Sequence, residues 1–274
     1  MSPLSHTERW LVALDVDGTI LHEDETLSPV VVDAIARVRD AGHAVTLATG
    51  RAWQHSKTIL DALALEPEYV VCANGAVIMR RDSEAPDGYR REHVETFRPM
   101  PVLQRIRDVL PDGRFMIEDP VGRRFYTEGM FEWNLDGAEM VEFDELGEII
   151  ATRVVCVSPG HTSDDFLKIV EQAGLHQVSY SIGWTAWLDI APEGVDKGTA
   201  AERMREWLGI PLDRVFVAGD GRNDIEMFRW AAQQGRAVAL GQAPDEVKQA
   251  ATEVTAHVEA DGLALALLSL PGLS

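Results

Sequence analysis

Apolar runs alternate with amphipathic stretches through the first third of the chain. The segments WLVALDV (10–16), HAVTLAT (43–49) and YVVCAN (69–74) are predicted to be buried strands. Between the first two strands, SPVVVDAIARVRDA (28–41) has apolar residues at helical spacing after a Ser-Pro start, which predicts a helix. A second helix is predicted over residues 53–63, between the second and third strands. Strands that alternate with helices in this way indicate a parallel α/β sheet.

The same alternation returns near the end of the chain. A helix is predicted over 198–209, a strand over 214–220, a further helix from Asn223 and a strand over 236–240. The apolar stretch after Asp261 predicts a docked final helix. The two ends together therefore predict a fold of the α/β class, a Rossmann-like core with a parallel sheet.

The middle of the chain has a different pattern. Residues 80–92 are polar, contain Pro86 and Gly88, and are predicted to be a linker. Helices are predicted near 100–110 and 162–173. The strand-like segments are HVETF, RFMIE, RRFYT, RVVCVS, HQVSYSI and TAWLDIA. Since neighbouring strands without intervening helices favour antiparallel pairing, we expect an inserted α+β domain at 82–190 and a core made of 1–81 and 191–274.

Composition and charge narrow the kind of protein. The chain has 274 residues, 46% of them hydrophobic and 26% charged, which is typical of a globular protein. It has neither an apolar run of membrane-spanning length nor an apolar signal core at the N-terminus, so we expect a cytoplasmic protein without a membrane partner. Cys72 and Cys156 lie in apolar runs and are predicted to be buried free thiols.

The net charge of −20 argues against a nucleic-acid partner, because such a partner requires a basic surface. An anionic ligand would instead need a local cluster of donors and a bound cation, since the overall field of the protein repels it.

Polar residues follow four of the predicted strands. These residues are Asp15 and Asp17, Thr49-Gly50-Arg51, Asn74-Gly75, and the segment 219–224. The carboxyl ends of parallel strands face one crevice, so the four groups are predicted to converge there. Any one group could consist of turn formers or helix caps alone. The four together favour a functional site.

Several carboxylates in one place repel each other and need a cation. Mg²⁺ is the expected cofactor, because it binds hard oxygen ligands and shares the oxygens of a phosphate. Asp15 and Asp17, at positions i and i+2, can lie on the same side of the chain. One carboxylate can act as a nucleophile towards a phosphoryl group while a second moves protons.

The segments DVDGT (15–19), LATGR (47–51), GVDKGTA (194–200) and GDGRNDIEMF (219–228) resemble the four motifs of the haloacid dehalogenase (HAD) superfamily of phosphatases. More narrowly, the chain resembles the Cof-type branch, subclass IIB, in which a cap of the C2B type is inserted between the second and third motifs. The segments VCANGAVI, RAVALGQAPDEVKQAA and ADGLALAL are similar to that branch too. Across 82–190 only position and size match, and the cap is expected to select the substrate.

The resemblance implies a role for each motif residue. Asp15 would be the nucleophile that forms an aspartyl-phosphate, and Asp17 the general acid and base. Mg²⁺ would be held by the carboxylates of Asp15 and Asp220 and the backbone carbonyl of Asp17, with Asp224 holding metal-bound waters. Lys197 would neutralise charge. The phosphate or substrate would be bound by Thr49, Gly50, Arg51, Asn74 and Asn223.

Some of these residues have structural alternatives. Lys197 could be a solvated lysine at a helix start, and Asn74 could hold a left-handed turn with Gly75. Asn223 could cap a helix, and Arg51 could pair with nearby acids. We interpret Asp196 as structural.

These residues predict a Mg²⁺-dependent phosphatase, a phosphoric monoester hydrolase acting on small phosphorylated metabolites, with sugar phosphates preferred to pyridoxal phosphate or flavin mononucleotide. A phosphomutase or phosphotransferase on the same scaffold is an alternative that the sequence does not separate from it. A non-enzymatic receiver-like module, phosphorylated on aspartate, is a third possibility. The expected oligomeric state is a monomer or a homodimer.

Overall fold

A computed structural model describes residues 9–129, 135–158, 178–182 and 187–273. The chain divides into two compact units, one made of the residues up to 92 together with those from 196 onward, the other of residues 93–195. The predicted boundaries of the insertion were 82 and 190. None of the helices within the described ranges is long and apolar enough to cross a membrane.

The strands of the described residues, in chain order, are β1 (Leu11–Leu14), β2 (Ala44–Leu47), β3 (Tyr69–Cys72), β4 (Val77–Arg81), β5 (Tyr89–Val94), β6 (Arg114–Glu118), β7 (Arg124–Tyr126), β8 (Glu139–Met140), β9 (Arg153–Val157), β10 (Val178–Ile182), β11 (Trp187–Pro192), β12 (Val215–Gly219), β13 (Arg236–Ala239) and β14 (Glu253–Val254).

The α-helices of the same ranges are α1 (Pro29–Asp40), α2 (Trp53–Ala62), α3 (Met100–Val109), α4 (Phe143–Glu148), α5 (Lys197–Leu208), α6 (Ile225–Ala231), α7 (Asp245–Ala250) and α8 (Gly262–Leu267).

The first unit is built on a parallel sheet with the strand order β14-β13-β12-β1-β2. Leu11 at the start of β1 pairs with Val215 on one side and with Ala44 on the other. Both faces of β1 and β12 are buried, which explains why their sequences are uninterrupted apolar runs. The predicted α/β class with a parallel sheet is confirmed.

The sequence suggested a linker at residues 80–92, but these residues are not a linker. Strands β4 and β5 follow β3 in a three-stranded sheet, and β3 continues the main sheet through a parallel bridge between Ala48 and Val71. The linker was predicted because this segment is polar and contains Pro86 and Gly88. These two residues instead lie in the turn between β4 and β5. The strand predicted from HVETF lies earlier in the chain, since β5 begins at Tyr89 and includes only the first two residues of that segment.

The second unit contains a six-stranded sheet with the order β10-β11-β9-β6-β7-β8. Its pairs are antiparallel, as predicted, except for the parallel pair of β7 and β8. Helices α3 and α4 cover one face of the sheet through a core that includes Ile106, Phe115 and Leu146. The polar strand β8 and helix α4 were not predicted. The helix predicted near 162–173 lies outside the described residues.

Local signals in the sequence explain where two core helices begin. The Ser28 hydroxyl accepts a hydrogen bond from the Val30 N–H at the start of α1, with Pro29 as the first helical residue. Asp196 caps α5 in a capping box with Thr199, which confirms the structural interpretation of Asp196. Cys72 and Cys156 are buried thiols that form no disulfide, as predicted.

Candidate active site

The polar groups that follow the strands of the first unit meet at one edge of its sheet. Asp15 comes directly after β1 and Asp220 directly after β12, and these two strands are neighbours. Thr49 follows β2, and its N–H donates to the carbonyl of Val71 in β3. The four strand ends therefore bring the motif residues together at one edge of this sheet, as predicted.

Lys197 is the centre of the charged cluster. It is the first residue of α5, its side chain is fully buried, and its Nζ lies 2.6 Å from Oδ1 of Asp15 and 2.7 Å from Oδ1 of Asp224. Burial alone would lower the pKa of Lys197, but the two carboxylates outweigh it and hold that pKa above its usual value. The alternative of a solvated surface lysine is wrong.

Three buried carboxylates surround this ammonium group. Asp15, Asp220 and Asp224 each offer an oxygen within 4.8 Å of the others. Burial, and then the charge of Asp224, raises the pKa of Asp15, and the same two causes raise the pKa of Asp220 to about 7. With one lysine against three carboxylates, the ionised cluster has an excess of negative charge. Its hard oxygen donors fit Mg²⁺.

The three carboxylates are not equivalent. Asp224 accepts from Lys197 on Oδ1 and from the backbone N–H groups of Asp220 and Gly221 on Oδ2, at 3.0 and 2.9 Å. Among the described residues, Asp15 accepts a hydrogen bond on Oδ1 only. Asp224 therefore positions the loop and the lysine, while Asp15 has an oxygen available for a ligand.

Gln242 is a site residue that the sequence analysis missed. Its Nε2 donates to the carbonyl of Gly18 at 2.5 Å and to Oδ2 of Asp220 at 3.2 Å, while its Oε1 accepts from the N–H of Val258. Gln242 thus joins the loops after β1 and β12. It lies three residues after β13, so the rule that polar residues cluster at strand ends could have found it.

Asp17 lies in a different environment from Asp15. Its side chain is 52% exposed and accepts hydrogen bonds from the guanidinium of Arg51, at 3.0 Å from Nε and 2.5 Å from Nη2. Arg51 also pairs with Glu25 at 2.8 Å. Burial alone would lower the pKa of Arg51, but the carboxylates of Asp17 and Glu25 outweigh it and hold that pKa above its usual value. The alternative that Arg51 pairs with nearby acids is confirmed.

The remaining predicted residues form the wall between β2, β3 and the loop after β12. Thr49 is buried, and its Oγ1 accepts from the N–H of Arg51 at 3.0 Å. Asn74 occupies the left-handed region with φ of 52°, so the turn interpretation holds. Its Oδ1 accepts from Nδ2 of Asn223 at 3.0 Å. A Cβ on Gly50 would lie 3.1 Å from the Asn74 amide, so Gly50 packs closely there.

The helix-cap interpretation of Asn223 is wrong. Helix α6 begins at Ile225, and Asp224 occupies its cap position. Asn223 instead reaches Asn74, a residue 149 positions earlier in the chain.

Comparison with known proteins agrees with this arrangement. A model of the haloacid dehalogenase-like hydrolase family matches residues 12–95 and 123–267. The 5-amino-6-(5-phospho-D-ribitylamino)uracil phosphatase of Bacillus subtilis is 28% identical, over 94% of this chain and 96% of that protein. The pyridoxal phosphate phosphatase of Escherichia coli is 28% identical, over 93% and 96%.

A solved structure of a HAD subclass IIB sugar phosphatase matches with a TM-score of 0.79 and 20% identity, over 97% of this chain and 100% of that one. At that identity the match shows the fold alone. The family model covers most of this chain, which therefore belongs to the haloacid dehalogenase-like hydrolases, as the four motifs predicted.

Proposed function

We propose that this hydrolase is a Mg²⁺-dependent phosphatase that cleaves monoesters of small phosphorylated metabolites through an aspartyl-phosphate intermediate. The observation that carries the proposal is the buried ammonium of Lys197 between Asp15 and Asp224, beside the carboxylate of Asp220. The relatives named above act on a phosphoribityl compound and on pyridoxal phosphate, which supports a small phosphomonoester as the substrate.

The carboxylates of Asp15 and Asp220 would hold Mg²⁺, together with the backbone carbonyl of Asp17. The metal would supply positive charge to the oxygens of the bound phosphate. Asp224 would act on the site through Lys197 and through the loop that carries Asp220, since its own oxygens already accept three hydrogen bonds.

Asp15 would attack phosphorus with a carboxylate oxygen while the bond from phosphorus to the ester oxygen breaks. Lys197 offsets charge near the transferring group, where the transition state spreads charge over three oxygens. The leaving oxygen would take a proton from Asp17. In the second step Asp17 would accept a proton from water, and that water would attack phosphorus and release phosphate and the Asp15 carboxylate.

The pairing of Arg51 with Asp17 bears on the first step. A general acid must be free to reach the leaving oxygen, and Asp17 is held by the guanidinium of Arg51 at 2.5 Å. We therefore propose that bound phosphate competes for Arg51, which would release the Asp17 side chain towards the leaving oxygen.

Sugar phosphates as substrates, a cytoplasmic location and a monomeric or homodimeric state are part of the same proposal. The inserted unit at 93–195 would select the leaving group. Neither nucleic acid nor a membrane is proposed as a partner.

The test is phosphate release from sugar phosphates, pyridoxal phosphate, flavin mononucleotide and para-nitrophenyl phosphate, with Mg²⁺ or with a chelator. Asp15→Asn should reduce kcat by about three orders of magnitude or more, because the nucleophile is lost. Asp33→Asn makes the same substitution at an exposed residue of α1 and should leave kcat unchanged. Equal turnover by Asp15→Asn, or turnover that survives chelation, would refute the proposal.

Two further readouts test the alternatives. Phosphate transfer to an added sugar alcohol in preference to release would favour a phosphotransferase. A long-lived phospho-aspartate in the wild-type protein, without turnover, would favour the receiver-like module.

A further inference from the structure

A short loop after β1 brings a second carboxylate to the guanidinium of Arg51. Leu21 and Leu27 pair across the base of this loop, and Glu25 lies between them. The Glu25 side chain is 73% exposed, yet its Oε1 accepts a hydrogen bond from Nη2 of Arg51 at 2.8 Å. Neither the proposed nucleophile nor the proposed metal ligands involve Glu25, so its place beside Arg51 requires a separate explanation.

The backbone of the loop holds Glu25 in position. Its φ is 62°, in the left-handed region that is uncommon for a glutamate. The N–H of Glu25 donates to the carbonyl of His22 at 3.0 Å. On its other side, Thr26 donates from its N–H and its hydroxyl to Oδ1 of Asp24, at 3.0 and 2.6 Å. His22 in turn places its Nδ1 3.2 Å from Oε2 of Glu259. An uncommon backbone conformation that its surroundings maintain points to a function for the residue that adopts it.

Arg51 divides its donors between two carboxylates. Its Nε donates to both oxygens of Asp17, at 3.1 and 3.0 Å. Its Nη2 carries two hydrogens and donates both to Oδ1 of Asp17, at 2.5 Å, and to Glu25. Its Nη1 donates to none of the residues that the structure describes, which leaves that nitrogen for a bound phosphate. Glu25 is thus the second acceptor of the guanidinium that holds Asp17.

We propose that Glu25 is a positioning residue for the general acid: it shares Arg51 with Asp17 and retains the guanidinium when Asp17 turns to the leaving oxygen. This inference rests on the proposed function, in which Asp17 protonates that oxygen. Two carboxylates that accept from one nitrogen repel each other, so the shared guanidinium holds Asp17 less tightly than it would hold Asp17 alone. Glu25 also remains as an acceptor after Asp17 has moved, so that Arg51 stays beside the bound phosphate.

The leaving group of the substrate reports on the acid. Phenyl phosphate and para-nitrophenyl phosphate have nearly the same shape, but the phenolate of the first is the poorer leaving group and depends more on a proton from Asp17. Values of kcat/KM cover the steps up to departure of this group, so the later attack of water does not affect them. Glu25→Gln should lower the ratio of kcat/KM for phenyl phosphate to kcat/KM for para-nitrophenyl phosphate by about two- to five-fold, the range for an ion pair that is open to solvent.

Glu23→Gln is the matched control. It removes the same charge from an exposed residue of the same loop that contacts none of the charged groups in the described part of the chain, and the ratio should not change. The effect of Glu25 must also pass through Arg51. In an Arg51→Met background the two carboxylates have no guanidinium to share, so Glu25→Gln should then leave the ratio unchanged.

The outcomes separate this inference from the proposed function. A merely structural role for Glu25 would reduce turnover of both esters alike and leave their ratio as it is. Mg²⁺-dependent turnover by the wild type with an unchanged ratio in Glu25→Gln, or an equal fall of the ratio in Glu23→Gln, would overturn the inference alone. Absence of Mg²⁺-dependent turnover of both esters by the wild type would overturn the proposed function and the inference with it.

Discussion

The substitution Gly18→Ala tests whether the loop after β1 must lie as close to Asp220 as the structure shows. Its φ is +72°, and a Cβ built on it would lie 2.2 Å from Oδ2 of Asp220 and 2.7 Å from Cγ. Gly18→Ala therefore adds two separate penalties. The first is the left-handed backbone, and the second is a collision with a carboxylate that we propose as a Mg²⁺ ligand.

The two penalties have different sizes and different consequences. An alanine in the left-handed region costs about 1–2 kcal/mol, which lowers stability but not chemistry. Relieving the contact requires a movement of about 1 Å or more, since carbon atoms in contact sit about 3.5–4.0 Å apart. A displacement of that size at a catalytic group costs about 10²-fold in rate. We expect kcat/KM to fall by about that factor and the Mg²⁺ concentration at half-maximal activity to rise.

Gly88→Ala is the matched control. Gly88 has φ of +78°, in the turn between β4 and β5, but nothing lies within 4 Å of a Cβ added there. Both variants should lose the stability that the left-handed backbone costs, with a further loss in Gly18→Ala from the collision, and only Gly18→Ala should lose phosphate release from para-nitrophenyl phosphate. Wild-type turnover by Gly18→Ala, or an equal loss of turnover in both variants, would refute the reasoning.

Three other changes separate the contributions of charge and position. Lys197→Met should lower the free energy of unfolding by about 3–5 kcal/mol in chelator, measured by urea denaturation, because two buried carboxylates lose their cation. Gln242→Ala should raise the Mg²⁺ concentration needed for half-maximal phosphate release by about 10- to 100-fold, because it removes a side-chain donor that orients the carboxylate of Asp220. For His43, whose pKa is lowered by burial and then by Arg9, folding stability should fall as pH drops below about 6.5, because the unfolded chain then binds more protons than the folded one.

Each of these predictions has its own control. Lys57→Met removes a partly exposed lysine that pairs with Asp61, and it should cost no more than about 1 kcal/mol. Equal losses in the two lysine variants would contradict a buried ion pair. Gln234→Ala, at an exposed position, should leave the Mg²⁺ dependence unchanged. His43→Gln should lose less stability than the wild type between neutral pH and mildly acidic pH, and identical pH profiles would show that His43 does not titrate in this way.

The order of elements and the location of the chemistry were both present in the sequence. Apolar runs with helical stretches between them predicted β1, β2 and β12, because strands buried on both faces of a parallel sheet carry few polar residues. Polar residues directly after those runs predicted the site, because the carboxyl ends of parallel strands share one edge. Asp15, Asp220 and Asp224 were therefore predicted as site residues without a structure, and Lys197 was predicted from the resemblance of GVDKGTA to a family motif.

The tertiary structure decided which of these residues touch. The order β14-β13-β12-β1-β2 makes β1 and β12 neighbours, and periodicity along the chain contains no information on that pairing. The contact of Lys197 with Asp15 spans 182 residues, and the partnership of Arg51 with Asp17 spans 34. Local patterns are set by bonded geometry over a few residues, whereas such contacts depend on how the strands are arranged in the sheet. For the same reason, the contact of Gln242 with Asp220 became visible only in the folded chain.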